Sequence, residues 1–254
     1  MPAMRAIGVI PARWASQRFP GKPLAPLLGR PLLRWVFEGA RQAKRLQRVL
    51  VATDDARIAE AARAFGAEVV LTRAEHPTGT DRIAEVARAL DEEIVVNVQG
   101  DEPTIRGDVI DAVVAALEED PDAPVATAVH AADPDALDDP NRVKAVLDRR
   151  GRALWFSRTR IPVLRDAAHP PRYWQHVGLY AYRRPFLLDF VHLAPTPCER
   201  AEALEQLRVL EHGFAIRAAV IEGWRSLAVD VPADVAAVEA ELTRRGAGAA
   251  GGTA

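Results

Sequence analysis

The chain has 254 residues, of which 49% are hydrophobic and 27% are charged, a composition typical of a globular protein and unlike that of a disordered chain. Lys and Arg (33) nearly balance Asp and Glu (35), so no overall field favours nucleic acid or an anionic membrane, and any anion site must be local. The single cysteine, Cys198, excludes an internal disulfide and any zinc or iron–sulfur site built from several cysteines.

The start of the chain carries no recognisable targeting signal. Its apolar run, residues 6–10, is too short for a signal-peptide core and lacks a cleavage context. No segment approaches the roughly 20 apolar residues that span a bilayer. We therefore expect a soluble cytoplasmic protein with no membrane insertion and no nucleic-acid partner.

Short apolar runs alternate with longer segments of helical periodicity in the first part of the chain. This pattern is typical of a doubly wound α/β sheet with helices on both faces. Strands are predicted over residues 6–11, 48–53, 68–71, 94–98, 125–129 and 143–147. Helices are predicted over residues 31–44, 56–65, 80–90 and 106–118.

The pattern changes after residue 147. Predicted strands over 154–156 and 177–182 flank a segment rich in Pro and Arg, residues 162–171, which we interpret as an inserted hairpin-like region. A lid, a substrate wall or a dimer surface would explain the aromatic residues gathered there: Trp155, Phe156, Tyr173, Trp174, Tyr180 and Tyr182. Helices are predicted over 199–211 and 232–244, around a strand over 216–220.

We predict a single domain over residues 1–245, with the insertion at roughly 150–190, followed by a flexible tail over 246–254 that is rich in Gly and Ala. The tail matches Gly-x-Gly-x-x-Gly by its letters. A dinucleotide fingerprint follows a strand and opens a helix. Because this segment follows a predicted helix, we interpret the match as accidental.

Three cations, Arg13, Arg18 and Lys22, directly follow the first predicted strand, and doubly wound sheets bind ligands beyond the carboxyl ends of their strands. A polyphosphate suits them, because Arg offers a planar fork, Lys a compact charge and Gly21 a close backbone approach. The alternative is a solvated basic loop. The segment is not a P-loop, because Pro23 stands where Ser or Thr is required, so an ATPase of that class is disfavoured.

Several motifs together point to one family. The first is Arg-x-Ala-Ser-x-Arg-x-Pro-Gly-Lys-Pro-Leu at residues 13–24. The others are Ala-Thr-Asp at 52–54, Thr-Arg at 72–73, Gly-Thr-Asp-Arg at 79–82, Asn-Val-Gln-Gly-Asp-Glu-Pro at 97–103, Phe-Ser-Arg at 156–158, His-x-Gly-x-Tyr at 176–180 and Leu-Glu-Gln-Leu-Arg at 204–208. The set covers roughly residues 5–242 and resembles the 3-deoxy-manno-octulosonate (KDO) cytidylyltransferases, the CMP-KDO synthetases.

This resemblance implies a three-layer α/β/α nucleotide-diphospho-sugar transferase fold, Rossmann-like with a mostly parallel mixed sheet, and an inserted β-rich region for dimerisation or substrate binding. It also implies a homodimer that activates KDO with CTP, giving CMP-KDO and pyrophosphate for lipopolysaccharide biosynthesis. The alternatives are a cytidylyltransferase for another sugar acid, such as 8-amino-KDO or sialic acid, and a non-catalytic nucleotide-binding protein of the same fold.

Asp101 directly follows Gly100 at the end of the predicted strand 94–98. Mg²⁺ takes a few carboxylates and completes its octahedron with phosphate oxygens and water. From the residues alone, Asp101 could instead cap a turn or a helix, and Asp230 is better explained as part of the helix start near residue 232. The resemblance implies that both bind Mg²⁺. Asp54 and Asp55 are interpreted as the start of the helix at 56–65 and not as metal ligands.

The resemblance further assigns residues to the two substrates. The triphosphate and cytosine would contact Ala12, Ser16, Arg73, Gly79, Thr80 and Gln99, although Thr78 or Thr80 could equally cap the helix there. The sugar acid would contact Gln99, Arg158, His176, Tyr180, Glu205 and Gln206, in which Arg pairs with a carboxylate and the others hydrogen-bond hydroxyls. Taken alone, His176 fits a structural histidine and Glu205 an exposed helix residue.

The expected reaction is attack of the sugar-acid hydroxyl on the α-phosphorus of CTP. Charge on the phosphoryl oxygens makes positioning and cations the main contributors. The catalytic residues would be Arg13, Arg18, Lys22 and Asp101. The first three would neutralise the triphosphate and the departing pyrophosphate, and Mg²⁺ would lower the pKa of the attacking hydroxyl.

Overall fold

The computed structural model describes residues 4–15 and 18–250, with the backbone alone for 246–250. Its strands are Ala6–Ala12 (β1), Pro26–Leu27 (β2), Arg30–Pro31 (β3), Leu46–Thr53 (β4), Glu68–Leu71 (β5), Ile94–Asn97 (β6), Val125–Ala131 (β7), Lys144–Leu147 (β8), Ala153–Ser157 (β9), Trp174–Arg183 (β10) and Ile216–Ile221 (β11). Its α-helices are Leu32–Ala40 (α1), Ala56–Ala64 (α2), Gly79–Ala87 (α3), Gly107–Glu119 (α4), Arg184–Phe190 (α5), Pro197–Glu202 (α6), Gln206–Glu211 (α7) and Val235–Ala250 (α8).

The chain divides into two compact units, each built from three separate segments. Unit 1 comprises Met1–Ala6, Asp91–Val96 and Asp111–Arg225. Unit 2 comprises Ile7–Leu90, Asn97–Ile110 and Ser226–Ala254. The expectation of one nucleotidyltransferase domain over residues 1–245 stays a prediction.

Unit 2 contains the β-α-β series with which the chain begins. Strands β1, β4 and β5 lie side by side, and β4 pairs parallel with β5 from Leu50↔Glu68 to Thr53↔Leu71. Helix α1 buries Leu32, Leu33, Val36, Phe37 and Ala40, the apolar stripe of an amphipathic helix. Every strand and helix predicted over residues 6–90 is present, with its ends within a few residues of the prediction.

Unit 1 is built on the long strand β10. It pairs antiparallel with β7, from Trp174↔Ala131 to Tyr182↔Val125, and its register shifts between Val177 and Tyr180. Strand β11 lies parallel to β7 on the other side. The first residues of β10 also pair with β8, which forms an antiparallel hairpin with β9. The strands predicted over 154–156 and 177–182 are both present as β9 and β10, but the predicted hairpin-like arrangement differs: β9 pairs with β8, whereas β10 pairs with β7 and β8.

The sequence prediction of a single helix over residues 199–211 is wrong. Helix α6 ends at Glu202, the next residue, Ala203, has a left-handed backbone (φ 50°, ψ 50°), and α7 begins at Gln206. A left-handed residue breaks the repeating hydrogen bonds of an α-helix. Helix α5 and the short β2–β3 hairpin were not predicted.

Helix α8 continues to Ala250, beyond the predicted end at residue 244 and into the segment predicted as a tail, whereas residues 251–254 lie outside the described ones. Among the described helices, none is both long enough and apolar enough to cross a membrane.

Candidate active site

A cavity of about 390 Å³ lies in unit 2, at the carboxyl end of β1, beside the segment after β6 and at the start of α3. Its lining residues are Pro11, Ala12, Arg13, Arg18, Lys22, Pro23, His76, Thr78, Gly79, Arg82, Gln99, Gly100, Asp101 and Asp230. The fold therefore brings together these predicted site residues: Ala12, Arg13, Arg18, Lys22, Gly79, Gln99, Asp101 and Asp230. Ser16 lies outside the described residues.

Two cations of the cavity, Lys22 and Arg18, are paired with its two carboxylates, Asp101 and Asp230. Lys22 Nζ donates to Asp101 Oδ2 at 2.8 Å and to the Val229 carbonyl at 2.9 Å, and it lies 3.9 Å from Asp230 Oδ1. Arg18 Nη2 donates to the same Asp230 oxygen at 2.9 Å. Asp101 and Asp230, which are distant in sequence, thus converge on one ammonium group.

The backbone of the basic loop is shaped at Gly21. This glycine has a positive φ of 71°, and the space where a Cβ would stand lies 3.0 Å from the Trp14 ring, so a side chain there would be strained and crowded. Its N–H donates to the Trp14 carbonyl at 3.0 Å. The Arg57 guanidinium, 3.4 Å from the Trp14 ring centroid, covers that ring, and Asp55 holds Arg57 with a 2.6 Å contact.

The segment after β6 approaches the end of β1 closely. A Cβ on Gly100 would lie 2.9 Å from the Pro11 carbonyl oxygen, closer than a side chain allows. The next residue, Asp101, accepts a hydrogen bond from the Val229 N–H on its carbonyl at 2.9 Å. Asp101 is therefore fixed at its backbone as well as at its carboxylate.

Helix α3 points its first residues into the cavity. Thr78 is its N-cap and accepts from the Asp81 N–H at 3.1 Å, so the capping interpretation holds for Thr78. Thr80 is buried and does not line the cavity. The first N–H groups of a helix carry partial positive charge and free donors, so the neighbourhood of Gly79 suits a carbonyl or an anion.

The segment before α3 contacts Glu85, a residue of that helix. The Glu85 carboxylate accepts a hydrogen bond from the Arg73 N–H at 3.2 Å and makes a short contact with His76 Nε2. The Arg73 guanidinium lies 3.6 Å from the same carboxylate. Arg73, a predicted nucleotide ligand, does not line the cavity, whereas His76 does. Burial, the largest influence, raises the pKa of Glu85, but the contacts with His76 and Arg73 outweigh it and the pKa is lowered.

Among the charged and titratable side chains that line the cavity, His76 and Arg82 were not predicted as site residues. A weak signal existed for Arg82, because residues three apart share a helix face and Gly79 was already a predicted site residue. Nothing in the sequence distinguished His76 from an ordinary loop histidine.

The predicted sugar-acid residues other than Gln99 lie in unit 1. His176, on β10, is buried with its Nε2 3.0 Å from Thr127 Oγ1, and burial lowers the pKa of His176 to about 3. Its ring lies 5.5 Å from that of Tyr180. Burial, and to a lesser extent the Glu205 carboxylate, raise the pKa of Tyr180, so the phenol stays protonated. Gln206 is buried and its Nε2 has no hydrogen-bond partner among the described residues.

The predicted role of Arg158 in binding the sugar-acid carboxylate stays a prediction, and within the chain Arg158 has contacts of its own. Its guanidinium donates to three backbone carbonyls, those of Glu202 at 2.6 Å, Pro140 at 3.0 Å and Ala203 at 3.2 Å. Lys144, which sequence reasoning did not single out, is buried and donates to the Arg158 carbonyl. In the described structure Arg158 thus holds the segment between α6 and α7, which carries Glu205.

The chain is similar to known proteins over most of its length. A family model described as cytidylyltransferase matches residues 7–218, and this defines the class of protein. The 3-deoxy-manno-octulosonate cytidylyltransferase of Syntrophotalea carbinolica is 51% identical over an alignment of 249 residues that covers 94% of this chain and 99% of the relative. The protein of the same name from Syntrophobacter fumaroxidans is 49% identical over an alignment of 253 residues that covers 97% of this chain and 100% of the relative.

A solved structure is similar as well. It is the structure of CMP:2-keto-3-deoxy-manno-octonic acid synthetase complexed with CTP, which matches with a TM-score of 0.90 and 41% identity over 95% of this chain and 99% of the other. The chain belongs to the 3-deoxy-manno-octulosonate cytidylyltransferase family, and both the predicted family and the predicted fold class are confirmed.

Proposed function

We propose that this chain catalyses the transfer of CMP from CTP to KDO in the cytoplasm, releasing pyrophosphate and supplying CMP-KDO for lipopolysaccharide biosynthesis. The observation that carries this proposal is the cavity of unit 2, where the cations of the basic loop meet two carboxylates. Family membership supplies the substrates, since relatives carry the name 3-deoxy-manno-octulosonate cytidylyltransferase and the similar solved structure is a complex with CTP.

In the proposed reaction, a KDO hydroxyl oxygen attacks the α-phosphorus, the bond from that phosphorus to the β-phosphate bridging oxygen breaks, and pyrophosphate leaves with the electron pair. The hydroxyl proton passes to solvent. Arg13, Arg18 and Lys22 hold the β- and γ-phosphates and stabilise the charge of the leaving group. Ala12, Gly79 and Gln99 contact the nucleotide from the cavity wall. Ser16, Arg73 and Thr80 keep their predicted nucleotide roles as proposals.

The proposed metal is Mg²⁺, held by Asp101 and Asp230. The donor set fits such a cation, because both carboxylates already converge on the positive charge of Lys22. Among the described residues, no group of three or more His, Cys, Asp or Glu side chains could hold a metal, and Mg²⁺ characteristically binds through one or two carboxylates plus substrate phosphates. When bound, it would supply a Lewis acid for the phosphate and lower the pKa of the attacking hydroxyl.

The sugar acid is proposed to contact Gln99 together with His176, Tyr180, Glu205 and Gln206. His176 and Tyr180 are uncharged because of their shifted pKa values, so they act as hydrogen-bonding groups. Gln206 offers an amide N–H₂ whose donors have no partner among the described residues. Uncharged and amide donors of this kind suit the hydroxyls of a sugar. Arg158 stays in the proposed set as a substrate-binding residue, and its contacts with the Glu202 and Ala203 carbonyls also hold the segment that leads to Glu205 and Gln206.

Pyrophosphate release tests the proposal. It is measured with purified protein over a matrix of nucleoside triphosphates and sugar acids, namely CTP and UTP with KDO, 8-amino-KDO and sialic acid. We expect turnover with CTP and KDO that requires Mg²⁺. Turnover with another sugar acid instead, or CTP binding without pyrophosphate release, would contradict the proposal.

A matched pair of variants tests the role of Asp101. Asp101→Asn should lower kcat by at least about 100-fold, as the loss of a group acting on transition-state charge does. The control is Asp122→Asn, a well-exposed carboxylate of unit 1, which should retain the activity of the original protein. Near-normal turnover of Asp101→Asn at saturating Mg²⁺ would remove Asp101 from the mechanism.

We also infer a homodimer formed through the region 162–182. Val163 is 76% exposed and Leu164 is 39% exposed, and Trp174 lies beneath the Arg172 guanidinium at 4.2 Å. Light scattering coupled to size-exclusion chromatography should give twice the chain mass. Val163→Glu should lower the measured mass towards that of one chain. A monomer at micromolar concentration would contradict this inference.

A further inference from the structure

The position proposed for the metal is occupied by a positive charge of the chain itself. The Lys22 ammonium lies 2.8 Å from Asp101 Oδ2 and 3.9 Å from Asp230 Oδ1. Arg18 Nη2 lies 2.9 Å from the same Asp230 oxygen. One oxygen of each carboxylate, Asp101 Oδ2 and Asp230 Oδ1, is therefore already in contact with a cationic side chain of the protein.

The two occupants exclude each other. A divalent cation bound to the Asp101 and Asp230 oxygens would stand within a few ångströms of the ammonium, and like charges that close repel strongly at a partly buried site. The Lys22 side chain is only 14% exposed, so water screens this repulsion weakly. The ammonium must leave the carboxylates before a metal can bind them.

Lys22 is able to leave without a change of the main chain. Its backbone is fixed between Gly21, at φ 71°, and Pro23, in a short 3-10 turn. The ammonium stands on a flexible four-carbon stem, so rotation of the side chain alone moves the charge. Arg18, whose side chain is 62% exposed, is freer still. A triphosphate entering the cavity brings the negative charges that would attract both.

We infer that Lys22 is a placeholder cation: in the nucleotide-free protein it occupies the metal position between Asp101 and Asp230, and it moves to the triphosphate when the nucleotide binds. The metal therefore enters with or after CTP and not before it. This inference rests on the proposed metal role of Asp101 and Asp230. It makes Lys22 serve two successive partners, the carboxylates and then the phosphates.

Binding of Mn²⁺ alone to the nucleotide-free protein tests the inference, followed by electron paramagnetic resonance. The original protein should bind Mn²⁺ weakly. Lys22→Met and Lys22→Gln should each bind it at least tenfold more tightly, because the carboxylates lose their resident cation. Lys22→Arg, which keeps the charge, is the matched control and should bind Mn²⁺ as weakly as the original protein. Adding Asp101→Asn to Lys22→Met should abolish the gain in Mn²⁺ affinity.

Two results would overturn the inference. One is Mn²⁺ binding by the original protein that is as tight without CTP as with it. The other is no gain in either neutral Lys22 variant while circular dichroism shows both to be folded. A separate measurement with CTP and Mn²⁺ together tests the proposed metal site itself: if Asp101→Asn holds Mn²⁺ beside CTP as the original protein does, that site fails whatever the Lys22 variants do.

Discussion

Arg82 and Asp54 form an ion pair in unit 2, with Arg82 Nη2 2.9 Å from Asp54 Oδ1. Arg82 is 2% exposed although it lines the cavity, and its Nη1 also donates to Thr72 Oγ1. Asp54 was expected to start helix α2 together with Asp55. Only Asp55 does so, accepting from the Arg57 N–H at 2.9 Å, while Asp54 joins α3 to the end of β4.

Arg82→Met should destabilise the protein by about 2 kcal/mol. Removing one partner of a buried pair costs about 3–5 kcal/mol, and the cost is smaller here because the Asp54 side chain is 23% exposed. Urea unfolding measures the change. The double variant Asp54→Asn/Arg82→Met should cost less than the sum of the single variants.

The control for Arg82 is Arg88→Met, a change at an exposed residue at the end of the same helix. It should alter the free energy of unfolding by less than about 0.5 kcal/mol. If Arg82→Met changes the free energy of unfolding as little as Arg88→Met does, the ion pair with Asp54 contributes nothing to stability.

Glu85→Ala should raise the KM for CTP about tenfold, the equivalent of one lost charged hydrogen bond, with little change in kcat. Glu85 anchors Arg73 and His76, and His76 lines the cavity but is not among the residues proposed to act on the reacting phosphate. Glu85→Gln, which keeps an acceptor, should show a smaller effect. Steady-state kinetics with varied CTP distinguish the two.

The lowered pKa of Glu85 sets the pH range of its contribution. A carboxyl whose pKa is lowered on folding stabilises the protein above its ordinary pKa, and this stability is lost as the pH falls through the lowered value. The KM effect should therefore be constant around neutral pH. Glu60→Ala, at an exposed position of α2, is the control, and a similar rise in its KM would contradict an anchoring role for Glu85.

Apart from the short β2–β3 hairpin, local patterns were enough to predict the strands and α-helices of residues 6–119, because the apolar periodicity and the helix start signals lie within each segment. The basic loop was found for the same reason, since its three cations are neighbours in sequence. Asp230 was assigned only through the family resemblance, because its partner Lys22 comes from a distant part of the chain.

What the sequence did not predict depends on partners brought together by folding. The burial of Arg82 is set by Asp54 and Thr72, which lie on other elements. The break between α6 and α7 falls on Ala203, a residue type that favours helix continuation. The Arg158 guanidinium binds its carbonyl oxygen at 3.2 Å, a contact that no local pattern indicates.

The pH dependence of stability should report the buried His176. Its pKa is lowered to about 3 in the folded protein. At any pH between this value and the ordinary pKa of histidine, the unfolded chain binds a proton at this residue and the folded chain does not. Stability must then fall as the pH falls, by up to about 1.4 kcal/mol per pH unit, and be constant above the ordinary value. Thr127 Oγ1 lies 3.0 Å from His176 Nε2 and within hydrogen-bond distance of the Val177 and Leu179 carbonyls. Because a hydroxyl has one hydrogen, an Nε2–H of the neutral imidazole that donates to Oγ1 leaves that hydrogen for a carbonyl.

Urea unfolding of the original protein and of His176→Gln at pH 7, 6 and 5 measures this contribution. The free energy of unfolding of the variant should fall less steeply as the pH falls, by up to about 1.4 kcal/mol per pH unit, the slope that one bound proton produces. His169→Gln, at a well-exposed histidine, should leave the slope unchanged. Parallel curves for the original protein and His176→Gln would show that His176 does not resist protonation in the folded state.

Arg158→Lys should raise the KM for the sugar acid more than the KM for CTP. Arginine donates to three carbonyls around Ala203, and a lysine ammonium cannot reproduce that planar fork. The segment leading to Glu205 and Gln206 would then lose the contacts that keep Ala203 left-handed at φ 50°, a conformation that costs a non-glycine residue about 1–2 kcal/mol.

Ala203→Gly separates this positioning role from direct contact with substrate. Glycine adopts the left-handed conformation without that cost, so the change should partly restore the KM of Arg158→Lys and alone should leave kinetics near those of the original protein. If Arg158 instead binds the carboxylate of the sugar acid, Ala203→Gly has no way to restore affinity. A double variant with the full defect of Arg158→Lys would therefore assign Arg158 to the substrate and not to the segment between α6 and α7.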